Sequence, residues 1–334
     1  MTNRDLAFLT ELGEVTVLSV DVIHRRYFAA DRTGKSCRRR LHYLTAAKFV
    51  TPVAITAHIG PRTDHHTVYR LTSTGADWLT QRTGQIVRVL KTDPKADTLL
   101  HRVLVARTVL ALADGALTAG RSKPSWLLES DRWPHAPRDV PEPRQYRLTF
   151  DFLGIPINPG RPIEQYGPPV YDDPTVTLVK ARPDAACVLT VSDVSAPLVL
   201  LFEVDAGTET VSQLTRKLPG YHAILTRRTF CHPWQDLIDQ LPVGARVLFV
   251  FTSEERMHNF LDYLTADSAR LWARTGVYCS SAADKERAAA FLESCFRFTT
   301  LDELEKADCL RRQIWYTLFL HQTSGKLAMS TGGM

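Results

Sequence analysis

Nine prolines crowd between Pro134 and Pro169. Each fixes φ and removes a backbone donor, so the segment from Lys123 to Pro174 reads against long helices or strands and as an insertion or lid. A chain of 334 residues interrupted in this way has length for two cores, at roughly 100 to 200 residues per domain. We expect boundaries at 1–90, a connecting helix over 91–122, a larger domain over 123–325 with its proline-rich insertion at about 132–174, and a flexible tail over 326–334.

The first domain reads as helix, helix, helix, strand, strand, helix. Residues 2–13 predict a helix, and Ser19 predicts the N-cap of a second one carrying Val20, Ile23 and Tyr27 on one face. Cys37, Leu41 and Leu44 stand at i, i+4 and i+7 of a third helix over 36–48, whose other face carries Arg38, Arg39, Arg40 and Lys48. Alternation from Val53 to Ile59, a turn at 60–64 and a return strand from Thr67 to Leu71 make a hairpin, after which Ser73 or Thr74 caps a short helix. This order resembles a winged helix-turn-helix, including the ending Tyr69-Arg70-Leu71-Thr72-Ser73-Thr74-Gly75. Residues 97–113 predict one more helix, either a connector or a dimer support.

After the prolines, strands at 184–190 and 198–204, helix 208–218, strand 246–252, helix 253–265, a strand near 276–280 and helices 284–294 and 301–320 alternate. Such alternation predicts a mixed sheet covered by helices, an α/β domain in a chain that is α+β overall.

Chemistry concentrates between Asp184 and Lys217. The apolar run Leu198 to Phe202 ends on Glu203, a carboxylate that is costly to bury unpaired. Glu203 and Asp205 are two apart and share one face of a straight strand. Glu209, Gln213 and Lys217 fall on one face of helix 208–218. A carboxylate from each of two neighbouring strands, Asp184 and Glu203, can hold Mg²⁺ or Mn²⁺ through hard oxygen ligands and leave room for water and phosphate. The alternative reading makes these carboxylates turn caps or buried structural groups and Lys217 an exposed lysine. Glu129 is a weaker third acidic candidate.

Charge points to a polyanion. Residues 1–100 hold 15 Lys and Arg against 9 Asp and Glu, whereas the remainder holds 26 against 27. With 44% hydrophobic and 23% charged residues, no apolar run of bilayer length and no signal peptide at the N-terminus, the chain reads as cytoplasmic, with no membrane role. Six scattered cysteines, at 37, 187, 231, 279, 295 and 309, form no CxxC pair and read as reduced thiols. There is no GxxxxGK[ST], GxGxxG or GxSxG. His65 and His66 are adjacent rather than spaced as HxH, which disfavours a metal site built on them.

The segment Pro183-Asp184, Phe202-Glu203-Val204-Asp205, Gln213 and Lys217 resembles the PD-(D/E)xK nuclease core, except that Asp205 stands where the pattern has lysine. The whole order resembles the replication-relaxation family and the related MOB-C type plasmid relaxases. The resemblance rests on Tyr69-Arg70-Leu71-Thr72 with Gly75, Pro183-Asp184, Phe202-Glu203-Val204-Asp205 with Gly207-Thr208, and Lys217-Leu218 with Tyr221. It implies a winged helix joined to a restriction-endonuclease-like mixed-sheet domain that works at a plasmid or integrative conjugative element.

On that resemblance the expected activity is metal-dependent nicking of origin DNA, in plasmid mobilization and conjugation. Asp184 and Glu203 would bind the metal, Asp205 would assist, and Lys217 would steady the scissile phosphate. Activated water is the expected nucleophile, with Tyr27, Tyr43, Tyr69 and Tyr221 as alternatives. Arg38, Arg39, Arg40 and Lys48 would grip double-stranded DNA in the major groove, with Arg62 at the wing. Expected partners are an origin of transfer or replication, relaxosome or coupling proteins, and a second copy of the chain. The competing reading is an inactive origin-binding accessory protein or transcriptional repressor, favoured by Asp205.

Overall fold

The computed structural model describes residues 1–59, 62–84, 87, 89, 95–128, 155–157, 177–179, 183–189, 198–215, 217, 218, 221, 245–266, 293–306, 309, 310, 313–316, 327 and 328. Contacts divide the chain into two compact units, Met1–Leu110 and Ala111–Met334. Both mix helix and strand, and the second is built on a mixed sheet, so the chain is α/β overall.

The first unit opens with α1 (Asn3–Val15), started by a capping box in which Thr2 and Asp5 satisfy one another's backbone N–H. It buries Phe8, Leu9, Leu12 and Val15. The short strand β1 (Leu18–Ser19) leads into α2 (Val20–Tyr27), with Ser19 at the N-cap position although its hydroxyl makes no cap bond there. Next, α3 (Lys35–Ala46) buries Cys37, Leu41 and Leu44, the stripe that the spacing predicts. It ends before Lys48, which takes a positive φ of 59° in the turn into β2 (Val50–Ile59).

The return strand β3 (Arg62–Leu71) pairs with β2 from Ile59↔Arg62 to Val50↔Leu71, and β1 joins its other side, giving the antiparallel order β1-β3-β2. Thr72, one residue before the expected cap, starts α4 (Ser73–Thr83) by accepting from Gly75 N, and its backbone N–H donates to Phe49 O. Any side chain at Gly75 would stand 2.1 Å from that same Phe49 oxygen, so the Thr72-to-Gly75 motif follows from close packing of backbone on backbone. Val17, Ile55 and Val68 close a core with Leu99 and Val103 of α5 (Ala96–Thr118), a helix that runs through the division between the units.

The second unit centres on a five-stranded sheet. Its strands are β4 (Ser125–Leu128), β7 (Ala185–Leu189), β8 (Leu198–Asp205), β9 (Ala245–Phe251) and β10 (Phe296–Thr300), ordered β10-β9-β8-β7-β4. The pairs β4·β7 and β7·β8 are antiparallel, while β8·β9 and β9·β10 are parallel. Between β4 and β7 the chain forms the small pair β5 (Ile155–Ile157) and β6 (Thr177–Val179). The remaining elements are α6 (Val211–Thr215), α7 (Glu254–Ala266), α8 (Leu301–Leu304), β11 (Gln313–Trp315) and β12 (Leu327–Ala328). Phe249, Phe260, Phe296 and Phe298 pack against one another in the core, each ring worth roughly 1.5–3 kcal/mol of burial.

Three expected elements change. The helix expected over 301–320 stops at Leu304 and gives way to β11, because Trp315 and Ile314 are buried as strand residues, Tyr316 bridges Phe298, and Thr299 Oγ1 donates to Ile314 O. Phe296–Thr300, expected as no element, supplies the sheet edge; its alternating Phe-Arg-Phe-Thr-Thr carries a period-2 signal. The helix expected over 208–218 starts later, at Val211, because Thr210 and Gln213 cap it there. The strand near 276–280, most of helix 284–294 and Glu129 lie outside the described residues.

Candidate functional site

The strand β8 is central in its sheet, so its apolar residues Val199 to Phe202 are buried and the chain meets its first carboxylate at Glu203, itself 1% exposed. Glu203 is not left unpaired. Lys217 Nζ donates to its Oε2 at 2.8 Å, and the Tyr221 hydroxyl donates to Oε1. Lys217 also donates to Glu209 Oε2 at 2.9 Å. The lysine reaches Glu203 because the chain after α6 continues in helical turns, with Lys217 N donating to Leu214 O and Tyr221 N to Lys217 O.

Asp184 sits at the start of the neighbouring strand. Its backbone N–H donates to Phe202 O at 2.8 Å, and its Oδ2 accepts from Val204 N at 2.7 Å, so it brackets Glu203 from both sides along β8. Burial, and next the charge of Asp184, push the Glu203 carboxyl up to about 8, while Lys217 and Tyr221 pull it back. For Lys217, burial works against the ammonium, but the charges of Glu203 and Asp184 and the bonds to both glutamates outweigh it and raise its pKa. The lysine is therefore held charged.

Asp205 goes elsewhere. It is 2% exposed and gripped by the Arg256 guanidinium, through Nε to Oδ2 and through Nη2 to Oδ1 at 2.9 Å, while Gly207 N donates to Oδ1 at 3.0 Å. Arg256 Nη2 also donates to the Glu209 carbonyl. Gln213, expected beside Lys217, instead turns its amide oxygen back to Thr210 N and Oγ1. Arg256 and the role of Tyr221 as a partner of Glu203 were not legible in the spacing: Arg256 lies 51 residues from its carboxylate and reaches it from α7.

The oxygens of Asp184 and Glu203 are the hard donors that a divalent cation takes. Among the described residues, no group of three or more His, Cys, Asp or Glu side chains is arranged to hold an ion. Asp184 and Glu203 are the residues that could hold such an ion; in this structure both Glu203 oxygens accept from Lys217 and Tyr221, and Lys217 supplies the positive charge.

In the first unit, the expected DNA-binding residues separate. Arg38 and Arg39 are exposed on α3, with Arg38 Nη2 donating to Thr33 O at 2.8 Å, and Lys48 is exposed in the turn beyond. Arg40 is instead engaged with Asp5 of α1 by two bonds, Nε to Oδ1 at 2.8 Å and Nη2 to Oδ2 at 2.5 Å. That partner lies 35 residues upstream, beyond what local spacing can show. Arg62 begins β3 with its backbone paired to Ile59, and His66 pairs with Ile55. Tyr27 donates to Glu11 Oε2 at 2.5 Å, a residue also held by Arg26, which gives that tyrosine a packing role.

No helix among the described residues is long and apolar enough to cross a membrane. No curated protein and no solved structure gives a significant match to the chain. The replication-relaxation family matches residues 9–241, a span that includes the latter part of α1, α3, Asp184, Glu203 and Lys217. The chain belongs to the replication-relaxation family, which points to a role in replication or relaxation.

Proposed function

We propose that the protein is a relaxase-like DNA nickase of a plasmid or integrative conjugative element, acting on origin DNA through Asp184, Glu203 and Lys217. One observation carries this reading: a fully buried carboxylate, Glu203, lies near the end of a central strand beside a second carboxylate and is paired with a partly buried lysine. Such a cluster costs stability, because buried like charges and an ion pair lose their hydration, and groups held at such a cost concentrate at functional sites. The order α5, β4, β7, β8, α6, β9, with two antiparallel steps and then a parallel one, supports a restriction-endonuclease-like core. The order α1, β1, α2, α3, β2, β3, α4 around a three-stranded antiparallel sheet supports a winged helix.

Asp184 and Glu203 would hold Mg²⁺ or Mn²⁺, which when bound supplies an activated water and charge stabilisation at the phosphate. Lys217 Nζ holds Glu203 and would donate to a phosphate oxygen. Tyr221 orients Glu203, and its burial and hydrogen bond favour that role over nucleophilic attack. Double-stranded DNA would lie across α3, gripped by Arg38, Arg39 and Lys48, with Arg62 at the wing.

A second reading, an inactive origin-binding accessory protein or repressor, draws on the Arg256 grip on Asp205 at the position where a nuclease lysine is expected. The test is nicking of supercoiled DNA carrying the protein's own genomic neighbourhood, with Mg²⁺ or Mn²⁺. Nicking by the wild type that is lost in Glu203→Ala and Asp184→Ala supports the nickase. Tight, sequence-selective binding without nicking selects the accessory reading, and a trapped tyrosyl-DNA adduct overturns attack by water.

A further inference from the structure

The exposed face of α3 does more than carry positive charge. From Lys35 to Ala46 it holds no acidic residue, and Lys35, Arg38, Arg39, His42 and Tyr43 are all exposed. At about 100° per residue, Lys35, Arg39, His42 and Tyr43 fall within one strip roughly 100° wide, opposite the buried Cys37, Leu41 and Leu44.

Tyr43 is the unusual member of that strip. At 53% exposure it is among the few large hydrophobic side chains left open, and its ring is braced from behind by the Arg40 guanidinium, 4.5 Å from the ring centroid. Arg40 is itself held by the two bonds to Asp5, and Asp5 is fixed by the capping box of α1. The chain of contacts Thr2, Asp5, Arg40, Tyr43 thus presents a rigid aromatic ring on a basic surface, which lowers the entropy cost of using it in a contact. Charge complementarity selects a polyanion, and the ring adds a feature that phosphate alone does not need.

We propose that Tyr43 is a specificity-determining residue toward double-stranded DNA, making apolar contact with the 5-methyl group of a thymine in the major groove, and that Arg40 is a positioning residue that never touches DNA. This deepens the DNA-binding reading above and rests on it. Arg39, next to Tyr43 on the strip, would supply donors to a guanine edge or a phosphate.

The test uses the full chain. Duplexes enriched from a random library define the preferred site, and each thymine in it is then replaced by deoxyuridine, which removes only the methyl group. One replacement should weaken wild-type binding about fourfold, the worth of one buried methyl group. Tyr43→Ala should bind the thymine and deoxyuridine duplexes equally, with an unchanged dependence on salt and an unchanged thermal midpoint, since the side chain is exposed. Arg40→Lys keeps the charge but loses the forked, planar grip, and should lose part of the thymine preference without altering the salt slope. Arg39→Ala should reduce that slope by about one or abolish selection at a guanine.

A full thymine preference in Tyr43→Ala overturns this inference while leaving DNA binding intact. A salt slope reduced by about one in Arg40→Met would mean that Arg40 grips phosphate and would overturn its positioning role. Failure to enrich any duplex, together with no salt-dependent binding, removes the DNA-binding reading and this inference with it.

Discussion

Both units bury carboxylates, but they treat them differently. In the first unit Asp5 is met by Arg40 and Glu11 by Arg26 and Tyr27, each across a helix–helix contact. Burial raises the Asp5 carboxyl, yet the bonds from Arg40 and Thr2 outweigh it and hold it below its ordinary value. In the second unit Glu203 is buried beside Asp184 and its carboxyl is pushed up to about 8 despite Lys217. A carboxylate whose pKa falls is helping the fold; one whose pKa rises is being held at a cost. Asp205, gripped by Arg256 and Gly207, is paired with a guanidinium as Asp5 is.

The largest effect that would break this contrast is on activity. Glu203→Ala should lower metal-dependent nicking about a thousandfold, the several kcal/mol that charge stabilisation at the phosphate supplies. Near-normal nicking in this variant would place Glu203 with the structural carboxylates. Lys217→Met should cost about a hundredfold, as for loss of one preorganised donor, with Lys217→Arg partly restoring the rate.

Stability sharpens the same contrast. Asp205→Asn should destabilise by about 3 kcal/mol in denaturant unfolding, because it breaks a bidentate pair and leaves a partly buried guanidinium unmatched. An unchanged midpoint would mean that Asp205 is free for the site.

The pH dependences should have opposite signs. The lowered pKa of Asp5 contributes stability that is present above the unfolded value of 3.8 and lost as pH falls through the folded value, so the gap between wild type and Asp5→Asn should close in acid. The raised pKa of Glu203 costs nothing below its unfolded value of 4.5, and that cost grows until about pH 8. Glu203→Gln should therefore gain on wild type as pH rises across that window, by about 1 kcal/mol or more. Thermal unfolding from pH 3 to pH 9 measures both, and parallel profiles would erase the distinction.

Much of the fold was legible where side-chain periodicity decides it. Cys37, Leu41 and Leu44 predicted the buried stripe of α3, and the apolar runs predicted β8 and β9. The 301–320 segment misled because an apolar, aromatic run suits a buried strand as well as a helix, and only pairing with β10 chose between them. Gln213 misled for a local reason: the residue after a capping threonine at that spacing serves its own helix start before any site.

By itself the sequence determined which residue types were present for chemistry and which stretches repeat at helical or strand period, because those depend only on neighbours along the chain. It named Asp184, Glu203 and Lys217 together through their order in a family pattern. Tertiary structure decided which charges are spoken for. Arg40 and Asp5 lie 35 residues apart, and Arg256 and Asp205 lie 51 apart. Pairings at such separations are set by how helices and strands pack, and no local periodicity encodes them.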